Sequence, residues 1–336
     1  DKGKTGPIFG WVIPADQRRK ADAADAVNEL RAQGLEVDTA TTAFAVGKVS
    51  VKPGDYIIRG DQPYRTLADM YFALQHFAPG NPAPYDDTGW TFALMRDITI
   101  TPVDDRSLLA QPMTLLNTSA VASGGISGTG NVVVVDNTAD NNVAAFRFKF
   151  AKTKMAAAEE DFDAAGHHFR AGAMIIANAD RAALEPALKK FGLSGYAMAS
   201  APSVKTHDLD IPRIGYVHSW TRTQDEGWVR AALDTYGIPY TYFGDIELRA
   251  GNLRQKYDVI IFPHVGGTVQ SMVNGIAKTG AAPLPYRKTA EFQSFGTPDA
   301  SDDIRGGMGL EGVKNLYEFV EQGGTLIVEG STATIF

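Results

Sequence analysis

The sequence predicts an α/β protein, with two α/β units followed by an incomplete doubly wound parallel-sheet domain. Three observations carry this expectation. Residues 8–37 read strand, helix, strand. An order of aromatic, glycine, glycine and paired isoleucines at Phe44, Gly47, Gly54, Ile57 and Ile58 returns about 118 residues on at Phe162, Gly166, Gly172, Ile175 and Ile176. Residues 213–336 read strand, helix, strand, strand, long loop, helix, strand. The expected domains are 1–110, an α/β domain; 111–205, a linker plus a second α/β unit that reads as a degenerate repeat of the first; and 206–336, the parallel-sheet domain, truncated at its C-terminus.

The first segment opens on the apolar run Ile8-Phe9-Gly10-Trp11-Val12-Ile13, stopped by Pro14. Ala23, Val27 and Leu30 share a face at helical spacing, which predicts a helix over 21–33 with Gly34 in the left-handed position after it. Leu35-Glu36-Val37 starts the next strand. Pro53-Gly54 is a tight turn feeding a buried strand at Tyr56-Ile57-Ile58, and a helix is expected near 66–76. Residues 120–130, rich in Gly, Ser and Ala, read as a linker or mobile loop. Val132–Val135 reads as a short buried strand and residues 181–190 as a helix ended by Gly192. Residues 201–212, polar with two prolines, are the expected domain boundary.

In the last segment, Arg213 to His218 is the first strand. Thr223-Gln224-Asp225-Glu226 fits a capping box, with Trp228, Val229, Ala232, Leu233 and Tyr236 on the buried face of its helix and Gly237 as the stop. Residues 240–243 form a short strand. Tyr257-Asp258-Val259-Ile260-Ile261-Phe262 reads as a fully buried parallel strand ending in Pro263-His264-Val265-Gly266-Gly267. Residues 268–308 form an unusually long connection. A helix over 309–322 is expected to turn Leu310, Val313, Tyr317 and Val320 inward, and 325–329 is the last strand. An open sheet of this kind normally continues, so a longer polypeptide is expected, missing both ends here.

The chain has no cysteine, which excludes disulfides, thiolate metal sites and thiol catalysis. A net charge of −7 with scattered Lys and Arg excludes a global field for nucleic acid. No stretch approaches the roughly 18 apolar residues of a membrane span. The chain opens at Asp1 rather than Met, so the missing signal peptide says little about location.

Two resemblances follow from these residues. The layout of 213–336 resembles the class I glutamine amidotransferases, whose nucleophilic Cys sits on the sharp turn after a central strand. The matching turn here is Gly330-Ser331-Thr332, so transfer through a thioester cannot occur. Trp11-Val12-Ile13-Pro14 with Gln17, Gly34-Leu35-Glu36-Val37, Pro53-Gly54-Asp55-Tyr56-Ile57-Ile58, Gln62-Pro63-Tyr64 and Tyr85-Asp86-Asp87-Thr88-Gly89-Trp90-Thr91 resemble the region after the catalytic domain in large bacterial zinc carboxypeptidase-like proteins. That family's zinc needs His-x-x-Glu and a distant His. His76, His167, His168, His218 and His264 lack Glu three residues on, and His207 has only Asp210. The resemblance therefore implies a non-catalytic accessory region, with no cofactor in this chain and zinc in a missing N-terminal domain. It also implies the upstream peptidase domain as partner, a peptide or glycan ligand, and a periplasmic or secreted location. Two other readings remain open: a stand-alone binding module, and a weak serine hydrolase.

The strand ends supply the candidate site, because ligands of open parallel sheets sit beyond the carboxyl ends of the strands. His218, His264, Gly266, Gly267, Glu329 and Ser331 fall there. Gly266-Gly267 offers amides to an oxyanion or carboxylate, or is a plain strand exit. Ser331 is a nucleophile with His264 or His218 as base, or a helix cap. Tyr85, Asp86, Thr88 and Trp90 recognise a ligand or pin a loop. Adjacent His167 and His168 bind metal or point to opposite sides of a strand. Residues 125–130 lack the Lys and the strand–helix setting of a phosphate loop.

Overall fold

A computed structural model describes residues 5–74, 78–82, 91–280 and 282–336. Mixed α/β structure divides into two compact units, one of residues up to Phe146 with Lys152–Leu209, the other of Arg147–Ala151 with Asp210–Phe336.

The first unit runs β1 (Gly10–Ile13), α1 (Lys20–Ala32), β2 (Asp38–Ala40), β3 (Phe44–Val46), β4 (Val49–Val51), β5 (Tyr56–Arg59), α2 (Arg65–Phe72), α3 (Phe92–Arg96), β6 (Thr101–Val103) and β7 (Met113–Leu115). It continues with β8 (Gly125–Gly128), β9 (Val132–Val135), α4 (Asn141–Lys149, its last three residues counted with the second unit), β10 (Ala156–Ala158), β11 (Phe162–Ala164), β12 (His167–Phe169), β13 (Met174–Ile176), α5 (Arg181–Phe191), β14 (Ser194–Met198) and β15 (Thr206–Asp208). Pro53-Gly54 turns the chain into β5 as expected, and Ile57 and Ile58 are fully buried. Residues 120–130 are not simply a linker: β8 pairs parallel with β14 and forms a sheet edge.

Two sheets result, in the orders β6-β1-β5-β2-β7 and β15-β10-β13-β9-β14-β8. Read in the same direction, β7-β2-β5-β1-β6 and β15-β10-β13-β9-β14 follow one scheme, and every pairing within those five strands is antiparallel. Trp11 sits opposite Ile58 in the first, Val134 opposite Ile175 in the second. The recurring stretch is, in each, a hairpin (β3–β4, β11–β12) followed by a central strand. Both hairpins cover a sheet face: Val46 and Val51 pack with Ile57, and Phe169 packs with Ile175. Helix α1 covers the opposite face of the first sheet through Ala23, Val27 and Leu30.

The second unit continues β16 (Ile214–Val217), α6 (Gln224–Thr235), β17 (Thr241–Phe243), α7 (Asp245–Ala250), α8 (Leu253–Lys256), β18 (Val259–Phe262), α9 (Val269–Asn274), α10 (Gly309–Glu321), β19 (Thr325–Val328) and a final 3-10 turn (Gly330–Ile335). Its sheet order is β17-β16-β18-β19, parallel throughout. Val217, Phe243, Ile260 and Phe262 form the core with Leu248, Leu253, Leu316 and Phe319.

Three expectations fail here. Leu310, Tyr317 and Val320 are exposed, and Gly312, Leu316 and Phe319 form the buried face of α10. The helix carries two adjacent apolar faces. Gly312 selects one of them, because a methyl there would meet Met308 Cβ at 2.6 Å and Leu248 Cβ at 3.3 Å. Trp228 is 74% exposed and Glu226 only 2%, the reverse of the expected burial. The two are two residues apart, hence on opposite sides of α6. Thr223 accordingly makes no side-chain cap, since its reciprocal partner points into the core.

No helix among the described residues is long and apolar enough to cross a membrane. Gly215 lies mid-strand under the stacked rings of Phe243 and Tyr257, where an added methyl would sit 2.7 Å from Phe243. Gly215→Ala is expected to destabilise the second unit by about 1–3 kcal/mol through overpacking, read as a lower urea midpoint.

Candidate functional site

Parallel pairing brings the ends of β16, β18 and β19 to one edge of the sheet, so the predicted residues converge in part. Two of these ends are clasped together. Thr332, fully buried, donates its hydroxyl to the Pro263 carbonyl (2.7 Å) and accepts from the Val265 amide (3.1 Å). Ser331 Oγ accepts from the Gly266 amide at 3.0 Å. His264 Nδ1 accepts from the Ser331 amide at 2.9 Å and lies 3.3 Å from Ser331 Oγ. The imidazole fits only because residue 330 is glycine, in left-handed backbone with φ 52°. Glu329 is tied to β18 by its amide, which donates to the Phe262 carbonyl at 3.1 Å.

This geometry resembles a Ser–His–Asp string, since His264 Nε2 is 3.8 Å from Asp225 Oδ2. Its chemistry is poor. An attacking serine needs a free oxyanion donor, and the Gly266 amide is engaged by Ser331 Oγ itself. Positive φ falls on Gly330 rather than on Ser331, whereas a nucleophile elbow puts the strained turn at the nucleophile. Ser331 also lies within the terminal 3-10 turn instead of capping a helix. What the arrangement does is satisfy two amides at the β18 exit.

His218 goes elsewhere. It is 5% exposed, stacks on Tyr242 at 4.3 Å, meets the edge of Trp220 at 4.6 Å, and its Nε2 lies 2.8 Å from Asp299 Oδ2. A methyl on Gly244 would come within 2.9 Å of that nitrogen. Beside it, the Glu226 carboxylate accepts from the Tyr242 hydroxyl and, at 3.3 Å, from the Ser219 amide. The Tyr216 hydroxyl donates to the Glu226 carbonyl at 3.2 Å. Burial raises the Glu226 pKa, and the hydrogen bond from Tyr242 only partly offsets it. Burial, reinforced by the Glu226 carboxylate, pushes the Tyr242 phenol well above its ordinary value.

Between the β16 and β18 ends lies a cavity of about 230 Å³. His218, Trp220, Arg222 and Asp245 supply polar groups, and Leu248, Phe262, Met272, Ile304 and Met308 an apolar wall. Trp220 Nε1 donates to Asp245 Oδ1 at 2.7 Å, and Arg249 pairs with Asp245 Oδ2 at 2.6 Å. Gly266 lines this cavity and Ser331 and Glu329 do not. The sequence reading missed Trp220, Arg222, Asp245 and Asp299. The first two sit within four residues of the strand end at His218, so the strand-end rule reached them in principle. Asp245 and Asp299 arrive from distant segments.

The remaining histidines do not gather. His167 stacks on Tyr196 at 4.1 Å, while His168 Nδ1 pairs with Asp163 at 2.9 Å on the other side of β12. His207 Nδ1 lies 3.5 Å from Glu159. Among the described residues, no group of three or more His, Cys, Asp or Glu is placed to hold a metal. His76, Tyr85, Asp86, Thr88 and Trp90 lie outside the described residues. No protein-family model, curated protein or solved structure matches this chain.

Two outcomes are expected. Because the native Glu226 pKa lies above its free value of 4.5, the folded state binds more protons than the unfolded one. Stability therefore falls as pH rises from 4.5 through the raised native value. Glu226→Gln should flatten that part of the profile in urea titrations run across pH. Thr332→Val leaves the Pro263 carbonyl and Val265 amide without partners and should cost about 1–3 kcal/mol, measured the same way.

Proposed function

We propose that this chain is a non-catalytic accessory region whose second unit, a cysteine-free domain resembling the class I glutamine amidotransferases, binds a small ligand. The observation that supports the binding role is the cavity beyond the ends of β16 and β18, where open parallel sheets take their ligands. The test is ligand-detected NMR with a mixture of small metabolites. Binding that disappears in Ile276→Trp, a partly exposed wall position, is the expected result. Identical behaviour of the two proteins would remove the cavity from consideration.

The motifs from Trp11 to Trp90 support a parent protein of the exported zinc carboxypeptidase-like type, with catalysis and zinc on a separate upstream domain. Reading the native polypeptide past both ends of this chain tests that part. A His-x-x-Glu pair followed by a later His upstream is expected, and its absence would end the peptidase assignment. The Ser331–His264–Asp225 string favours a second reading, a weak serine hydrolase. With the Gly266 amide engaged, Ser331→Ala is expected to leave any p-nitrophenyl acetate hydrolysis unchanged.

A further inference from the structure

The charges around the cavity do not balance evenly. Asp245 is answered by Arg249 and Trp220, and His218 faces Asp299. Arg222 differs. Its backbone exchanges hydrogen bonds with the Ser219 hydroxyl, at 3.0 and 3.1 Å, but its guanidinium has no ion pair or side-chain hydrogen bond among the described residues. That guanidinium lies against the Gly266-Gly267 turn, where a methyl on Gly266 would be 3.0 Å from Nη1. It lines the same cavity as the apolar wall of Leu248, Phe262, Met272 and Met308.

An unpaired guanidinium at the rim of a largely apolar cavity has a simple chemical complement. Its planar fork matches a carboxylate bidentately. A phosphate dianion would call for more than one cation, and among the described residues that line the cavity Arg222 is the one cation without a partner. A neutral apolar ligand would make no use of it. We infer that the cavity takes a small organic monocarboxylate, its acid group on Arg222 and its apolar body against Leu248, Phe262 and Met272. This rests on the ligand-binding role proposed for the same cavity.

Trp220 stands in the wall, so its fluorescence reports occupancy. The probes are phenylacetate and its neutral isostere phenylacetamide, titrated into the full chain and into Arg222→Met. Arg222 is exposed, so the substitution should leave the fold intact, which circular dichroism checks. The expected result is saturable binding of phenylacetate, with the amide about tenfold or more weaker. Arg222→Met should weaken the acid by a similar factor and leave the amide unchanged. If acid and amide bind alike and Arg222→Met affects neither, the carboxylate assignment is overturned while ligand binding stands. If phenylacetate does not bind at millimolar concentrations, the carboxylate assignment is overturned, while the ligand-binding role stands or falls with the metabolite mixture.

Discussion

Burying the Glu226 carboxylate costs several kcal/mol of lost hydration unless protein donors replace the water, and one of the donors that replace it here, the Ser219 amide, belongs to the cavity wall. The Tyr242 hydroxyl and the Ser219 amide meet the carboxylate, and Tyr216 meets the carbonyl of the same residue. Arg230 lies 4.1 Å over the Tyr242 ring and adds positive charge to the cluster. Holding Ser219 fixes the start of the loop between β16 and α6. That loop then has little freedom in where it places Trp220 and Arg222. One desolvated group therefore links the register of β16 and β17 to the polar side of the cavity.

The opposite wall comes from the long connection between α9 and α10. It is tied together by backbone bonds between Tyr286 and Ser301 in both directions, and by Arg305 on Asp303. It reaches the sheet through Asp299 on His218 and through Tyr286, whose ring lies 5.5 Å from Trp220. Such a segment is uncommon without a task, since a long loop must satisfy its own backbone. Its contacts with His218 and Trp220 form part of the boundary of a neighbouring smaller recess. The Thr332 and Ser331 clasp, at the same edge of the sheet, trades chemical reactivity for a closed β18 exit.

In the first unit, two sheets of one strand order come from sequences that share only a short pattern. The positions that recur, Phe44 with Phe162 and Ile57-Ile58 with Ile175-Ile176, belong to a hairpin and the central strand beneath it. Those places have the least freedom, because a turn glycine and a doubly covered strand each admit few residues. The peripheral strands β7 and β15 have no such constraint and show no recurrence in sequence.

The sequence by itself determined the α/β class, the strands β1, β5, β9 and β16 to β19, the turns at Pro53-Gly54 and Gly237, and the strand ends where a site would gather. Those features depend on local periodicity and turn chemistry, which act over a few residues. Only the tertiary structure decided which face of α10 is buried, whether Glu226 caps its helix or enters the core, and which side chains meet at the strand ends. Each of these choices depends on a partner far away in the chain: Leu248 facing Gly312, Tyr242 facing Glu226, Asp299 facing His218. Helical spacing fits two neighbouring faces of α10 equally well, and a carboxylate enters a core only where distant donors have already been assembled to receive it.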